Sequence, residues 1–322
     1  MNQPYYPLQF EPILKERIWG GEKLKEQFDK PSTSKTTGES WELSAVAGDV
    51  SVVSNGALKG KTLTELIDAS PISVLGSLVC KRFGTEFPLL FKFLDAKQDL
   101  SIQVHPNDEL AKKRHNSLGK TEMWYVMQAD VGAKIIVGFK ENCNQSEYLD
   151  HLENKSLEVI LNDFTVGEGE MYFLEPGTVH AIGAGLLIAE IQQTSDVTYR
   201  LYDFDRTDAD GNKRELHVDL ALEAINYQKQ QTQKFYFKEP NQSNPVVDCN
   251  YFSTNFIPLT DTYVVEKSGD SFTVYMCVDG SFSIVVDGIQ FDYKKGDTIL
   301  MPAVLKNYIL TGNASLLEIY IS

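Results

Sequence analysis

Residues Ser281–Tyr293 read SFSIVVDGIQFDY. Two runs of β-branched and aromatic residues flank Asp287-Gly288, and that dipeptide supplies the positive φ that both central positions of a type I′ hairpin require. The same signature spreads outward. Short runs of Val, Ile, Tyr and Phe, broken by Gly, Asp, Asn and Pro, recur at Lys134–Phe139 (KIIVGF), Met171–Leu174 and Leu186–Gln193. Helices are expected to be few. Thr62 and Glu65 form a capping box, and Asn107 caps a short helix with Asp108 and Glu109 in its first turn. Residues 146–161 and 218–228 carry helical spacing of apolar positions. The expected class is mainly β, with short helical decorations.

Gly169–His180 (GEMYFLEPGTVH) and Gly296–Asn307 (GDTILMPAVLKN) share a pattern of Gly-acidic, an apolar run and a Pro turn. The glycine turns the chain, a strand follows and proline sets the next turn. This predicts two β-barrels of one type. The first copy ends on His180; the second has Lys306 or Asn307 there, neither a good metal ligand, so the second barrel is degenerate. The Gln-, Lys- and Asn-rich stretch 228–245 reads as a connection, which places a metal-binding domain at 1–235 and a degenerate β domain at 236–322.

With 322 residues and an ordinary apolar fraction the chain can bury a sizeable core. Its net charge of −15 argues against a nucleic-acid partner and against an anionic membrane surface. No apolar run approaches the ~20 residues that span a bilayer. The first residues, MNQPYYPLQF, lack the basic and apolar regions of a signal peptide, so a cytoplasmic location is expected. Cys80, Cys143, Cys249 and Cys277 form no CxxC pair and read as free thiols.

Four blocks could carry chemistry. In Ser101–Asn107 (SIQVHPN), Gln103 and His105 share one face of a strand. A histidine alone in a strand is more often a hydrogen-bonded structural residue. Lys120-Thr121-Glu122 taken alone reads as a solvated strand edge. His180 follows a Pro-Gly turn in an apolar setting, and Glu190–Arg200 (EIQQTSDVTYR) brings a carboxylate and a guanidinium. Together, one Gln, two His and one Glu make a mixed nitrogen and oxygen set suited to Zn²⁺ or a similar divalent ion. His115, His151 and His217 read as surface residues.

These blocks, in this order, resemble the type I mannose-6-phosphate isomerases in their short bacterial form. Arg17–Gly21 (RIWGG), Gly38–Glu42 (GESWE) and Pro88–Gln98 (PLLFKFLDAKQ) fit as well, so the resemblance spans roughly residues 10–225. It implies two cupin-like jelly-roll barrels and one zinc per chain, on Gln103, His105, Glu122 and His180. It also implies a catalytic Arg200, a substrate-side Lys120, Ser101 near the substrate and Glu190 near the metal. Gln103 stands where the general cupin signature has histidine, and Pro176 falls one residue late while the spacing from Gly169 to His180 is kept.

The implied reaction interconverts mannose 6-phosphate and fructose 6-phosphate through an enediol, with a sugar phosphate as the only partner called for. Glu190 would serve as base if burial raises its pKa, and Lys120 if a nearby zinc lowers its own. Two other readings stay open at this point. One is a different cupin activity, such as an iron-dependent dioxygenase, which a glutamine ligand disfavours. The other is a non-catalytic sugar-phosphate-binding protein. The sequence sets no oligomeric state.

Overall fold

The computed structural model describes residues 5–207 and 211–322. Two sheets pack face to face in the first part of the chain. The larger runs Ile13–Gly21, Thr37–Leu43, Leu89–Ala96, Leu186–Gln193, Glu122–Ala129, Met171–Leu174, Gln233–Lys234. The smaller runs Tyr199–Tyr202, Ile102–Val104, His180–Ile182, Lys134–Phe139, Leu161–Thr165. The class is mainly β and of jelly-roll type, as expected, but the layers are the two faces of a sandwich rather than a ring closed by hydrogen bonds. A third sheet holds the C-terminal part. Its long strands Thr273–Val286 and Asn307–Tyr320 pair along most of their length, break register between Cys277 and Asp279, and wrap a core of their own.

Strand parity decides what faces what. In Leu89–Ala96, Phe91 and Phe93 join the large core shared with the helices and the third sheet, while Leu94 and Ala96 face the inside of the sandwich. Glu122–Ala129 and Leu186–Gln193 divide the same way: Met123, Tyr125, Leu187 and Ala189 outward to the shared core, Trp124, Val126, Leu186 and Ile188 inward. These strands are covered on both faces, hence their nearly unbroken apolar character. In the smaller sheet Ile102, Val104, Ala181 and Tyr199 face an outer core under the helices.

The chain ends are tied together. Leu8 and Leu300 exchange both backbone hydrogen bonds at 2.9 Å, which joins the N-terminal segment to the third sheet. The Asp287-Gly288 hairpin forms, with φ of 49° and 79°. The capping box on Leu63–Ala69 and the Asn107 cap on Asp108–His115 are present. The repeated motif is visible in the backbone. Gly169 and Gly296 both have positive φ, and strands begin two and eleven residues later in each copy, at Met171 and His180, and at Thr298 and Asn307. That register puts Asn307 where the first copy has His180.

Two helical readings are corrected. Residues 146–161 do not form one helix. Gln145–Glu153 ends at a turn with Lys155 at φ 53°, a single turn Leu157–Ile160 follows, and Leu161 is drawn into a strand against Phe139. Of 218–228 only Val218–Leu222 is helical, because Asn226 donates instead to the carbonyl of Gly177. The four cysteines are free, with Cys277 buried. No helix among the described residues is long and apolar enough to cross a membrane.

Candidate metal centre and substrate cavity

Inward parity on the smaller sheet aligns one rung of polar side chains. Gln103 lies opposite His180 on one side and opposite Arg200 on the other. Inward parity on the larger sheet aligns a second rung, in which Glu190 lies opposite Lys92 and Trp124, with Glu122 two residues before Trp124. The inside of the sandwich is thus apolar at one end and polar at the other.

His105, Glu122 and His180 are buried, and one ligand atom from each lies within 4.8 Å of the others. Nδ1 of His105 donates to the Val197 carbonyl at 2.9 Å, and Nδ1 of His180 donates to the Thr178 carbonyl at 2.8 Å. A carbonyl only accepts, so each ring carries its proton on Nδ1 and presents an Nε2 lone pair to the cluster. Burial holds both rings below the usual histidine pKa. For His105 the Lys120 charge deepens the effect, and for His180 the Glu122 charge partly offsets it. Both are therefore neutral, the form that binds metals.

The Gln103 amide reaches His180 Nε2 at 3.2 Å. The Lys120 ammonium donates to His105 Nε2 at 3.1 Å and lies 2.8 Å from Glu122 Oε2. Both carboxylate oxygens of Glu122 are buried without a hydrogen-bond partner, Oε2 meeting only the Lys120 charge. A buried carboxylate with neither oxygen hydrogen-bonded, facing two oriented imidazole lone pairs and a glutamine, suits a divalent cation of intermediate softness.

A cavity of about 490 Å³ adjoins this group. Ser101, Gln103, Lys120, Glu190 and Arg200 all line it. Arg17, Trp19, Glu39, Lys92 and Arg214 line it too, and the sequence reading assigned none of them a role. Three of them lie in the RIWGG and GESWE blocks. Lys92 had its own signal, the one charge inside the apolar run LLFKFL (residues 89–94), which can be buried only if paired. His217 is also more than a surface residue: its Nδ1 accepts from the Arg200 backbone amide at 3.1 Å.

The cavity's charges are braced. Lys92, 4 % exposed, donates to Glu190 Oε1 at 3.1 Å, and Trp124 Nε1 donates to Oε2 at 3.0 Å. Burial would raise the pKa of Glu190, but the Lys92 and Lys120 charges outweigh it and pull the carboxyl down to about 2. The condition under which Glu190 was to act as base is therefore not met. Lys120 is raised, because Glu122 and Glu190 outweigh its burial. Arg200 is half-buried with Nε unsatisfied and Nη1 donating to the Glu215 carbonyl at 2.9 Å. Its pKa is lowered by burial and by the neighbouring Arg214 charge. Five cations (Arg17, Lys92, Lys120, Arg200 and Arg214) and four carboxylates (Glu16, Glu39, Glu190 and Asp196) line the cavity, so its wall is close to charge-balanced in a chain of net charge −15.

Residues 8–144 match the family phosphomannose isomerase type I, catalytic domain, and residues 242–321 match mannose-6-phosphate isomerase, cupin domain. The chain is 39% identical to the mannose-6-phosphate isomerase ManA of Bacillus subtilis (strain 168), over 96% of each sequence. It is 34% identical to the mannose-6-phosphate isomerase of Streptococcus mutans, over 97% of each. Among solved structures, that of the mannose 6-phosphate isomerase from Bacillus subtilis superposes with a TM-score of 0.90 at 32% identity, covering 98% of this chain and all of that one.

Proposed function

The chain belongs to the type I phosphomannose isomerases, and on that premise we propose that it interconverts mannose 6-phosphate and fructose 6-phosphate with one zinc ion held by Gln103, His105, Glu122 and His180. The observation that carries this reading is the buried His-Glu-His group beside a cavity lined by Gln103, Lys120 and Arg200. The reaction moves a proton between C1 and C2 through an enediol. A bound divalent ion would polarise the sugar carbonyl and so acidify the neighbouring C–H bond.

The chain's own residues do the rest. Arg200 offers a planar fork of donors, suited to the phosphate oxygens or to the oxyanion that develops on the sugar. Lys120 adds a second positive donor on the cavity wall, and the buried Ser101 hydroxyl orients the sugar. Glu190 stays ionised as counter-ion to Lys92 and Lys120, and so sets the position of both. The two walls shed water from around the sugar, which strengthens each of these interactions. A cytoplasmic setting suits a sugar-phosphate substrate, and residues 1–235 are proposed as the catalytic unit.

A coupled assay from mannose 6-phosphate to fructose 6-phosphate, on chelator-stripped protein before and after adding Zn²⁺, tests the reading. Activity lost on stripping and restored by zinc supports both reaction and metal. No activity in either state, with zinc bound, returns the chain to the other cupin functions.

A further inference from the structure

The third sheet contributes nothing to the lining of the cavity, yet one of its hairpins reaches the segment that carries the candidate ligands. Between the strands Asn244–Asp248 and Ser253–Leu259 the chain turns at 249–252. There Tyr251 donates its hydroxyl to Asp108 Oδ2 at 2.6 Å. Asp108 is the first residue of the helix that follows His105-Pro106-Asn107.

The other carboxylate oxygen of Asp108 faces the chemistry. Oδ1 accepts from the Gly119 amide at 2.8 Å and from Gln193 Nε2 at 3.1 Å. Gln193 in turn accepts from the Thr121 amide at 2.8 Å through its side chain. Between these two pinned amides the Lys120 amide donates to the Pro106 carbonyl at 3.2 Å. Gly119 packs so closely on this segment that a Cβ would lie 2.6 Å from the Asp108 amide nitrogen. Residues 105–108 and 119–122 are thus laced together, with Asp108 as the shared acceptor.

We propose that Tyr251 is a positioning residue: by holding Asp108 it fixes Gly119–Thr121 against Pro106–Asp108, and so sets Lys120 and Glu122 against His105. The hairpin that presents it is itself anchored. Phe252 is buried in the core shared by both halves, and Arg82 of the first half donates to the carbonyls of Asn250 and Ser322. The degenerate sheet therefore acts as a brace for the active half. A hydrogen bond to a charged acceptor is stronger than one between neutral groups, and it biases this loop toward its aligned state.

The proposal rests on the isomerase reading, and the test separates the two. The variants are Tyr251→Phe, Asp108→Asn and the double variant, assayed with zinc on mannose 6-phosphate. Thermal unfolding and amide hydrogen exchange of the peptide spanning 117–122 are read alongside. The expected result is a fall in kcat of about three- to tenfold in Tyr251→Phe, with KM within about twofold and an unfolding midpoint lowered by no more than about a few degrees. Exchange at 117–122 accelerates, and the double variant loses no more than Asp108→Asn alone. Full kcat in Tyr251→Phe overturns the proposal. So does a kcat loss that adds to that of Asp108→Asn without faster exchange at 117–122. Absence of turnover in the unmutated protein defeats the isomerase reading instead, and the exchange measurement then decides the brace by itself.

Discussion

Gln103 and Arg200 stand directly opposite each other across the ladder between Ile102–Val104 and Tyr199–Tyr202. Cross-strand partners hold their Cβ atoms roughly 5 Å apart, so a guanidinium and a candidate metal ligand start from the same rung. With His180 on the far side of Gln103, a single row orders two candidate ligands and the group proposed to bind an anion. The arrangement is built on sheet, not on loops, and inherits its rigidity.

Arg200→Ala is expected to lower kcat/KM by about 10²- to 10³-fold, the range for removing a donor aimed at developing charge. Zinc content, measured by mass spectrometry on the purified variant, stays at one per chain because Arg200 is beside the ligand set and not in it. Arg200→Lys recovers little, since an ammonium lacks the planar fork. Turnover near the parent level in Arg200→Ala ends the role given to this residue.

Zinc added to stripped protein should raise the unfolding temperature, because a ligand that binds only the folded state stabilises it by mass action. Glu122→Gln keeps the side-chain volume and removes the charged ligand, so its midpoint no longer responds to zinc at concentrations that shift the parent. An equal zinc shift in both proteins would place the metal elsewhere.

Lys92→Met strands Glu190 in the sandwich interior. Breaking one half of a buried pair costs about 3–5 kcal/mol, here read by urea unfolding at pH 7. The pH dependence has a definite sign. Glu190 titrates near 2 in the folded chain, below its ordinary 4.5, so the pair's stabilisation is complete above pH 4.5 and drains away as pH falls toward 2. The gap between parent and variant therefore narrows from pH 7 to pH 3. A gap of constant size would assign the loss to packing.

Gly177→Ala tests the turn that links both imidazoles. Gly177 has φ +89°, its amide donates to the His105 carbonyl at 2.9 Å, and a Cβ there would lie 2.7 Å from the Ala224 carbonyl oxygen. The substitution meets a left-handed backbone and a backbone clash together, and is expected to cost at least ~1–3 kcal/mol in unfolding measurements and to weaken zinc binding. Unchanged zinc affinity would show that the His105 and His180 turns are held independently.

Gln103, His105 and His180 were legible because each sits in a local pattern that states its own geometry: alternation for the first two, a Pro-Gly turn before His180. Glu122 was not, since Lys120–Glu122 alone reads as a solvated strand edge, whereas the three residues are buried and only the family resemblance singled Glu122 out. Lys92 carried a signal in its apolar run that went unused. Arg214 and His217 had none, since what brings them to Arg200 is the path of the chain after Tyr202. Tyr251 and Asp108 are 143 residues apart, and no local rule pairs them. The helix expected over 146–161 failed for a related reason: Leu161 finds more to pair with on the strand beside Phe139 than in another helical turn. Register between strands distant in sequence is a tertiary property, and this site is made of registers.

The bond pair between Leu8 and Leu300 has a consequence for how the molecule is made. Leu8 and Leu300 are 292 residues apart, so translation exposes Leu8 long before its partner. The large core that Leu8 enters also takes Phe256, Val274 and Leu317. Closing a loop of that length comes late, and contacts of such sequence separation slow folding. The segment around Leu8 can pair early with residues near Val53, through Phe10, Glu11 and Gln9, but its outer edge stays open until the third sheet is synthesised, and the strand that carries Leu300 is the one that closes it.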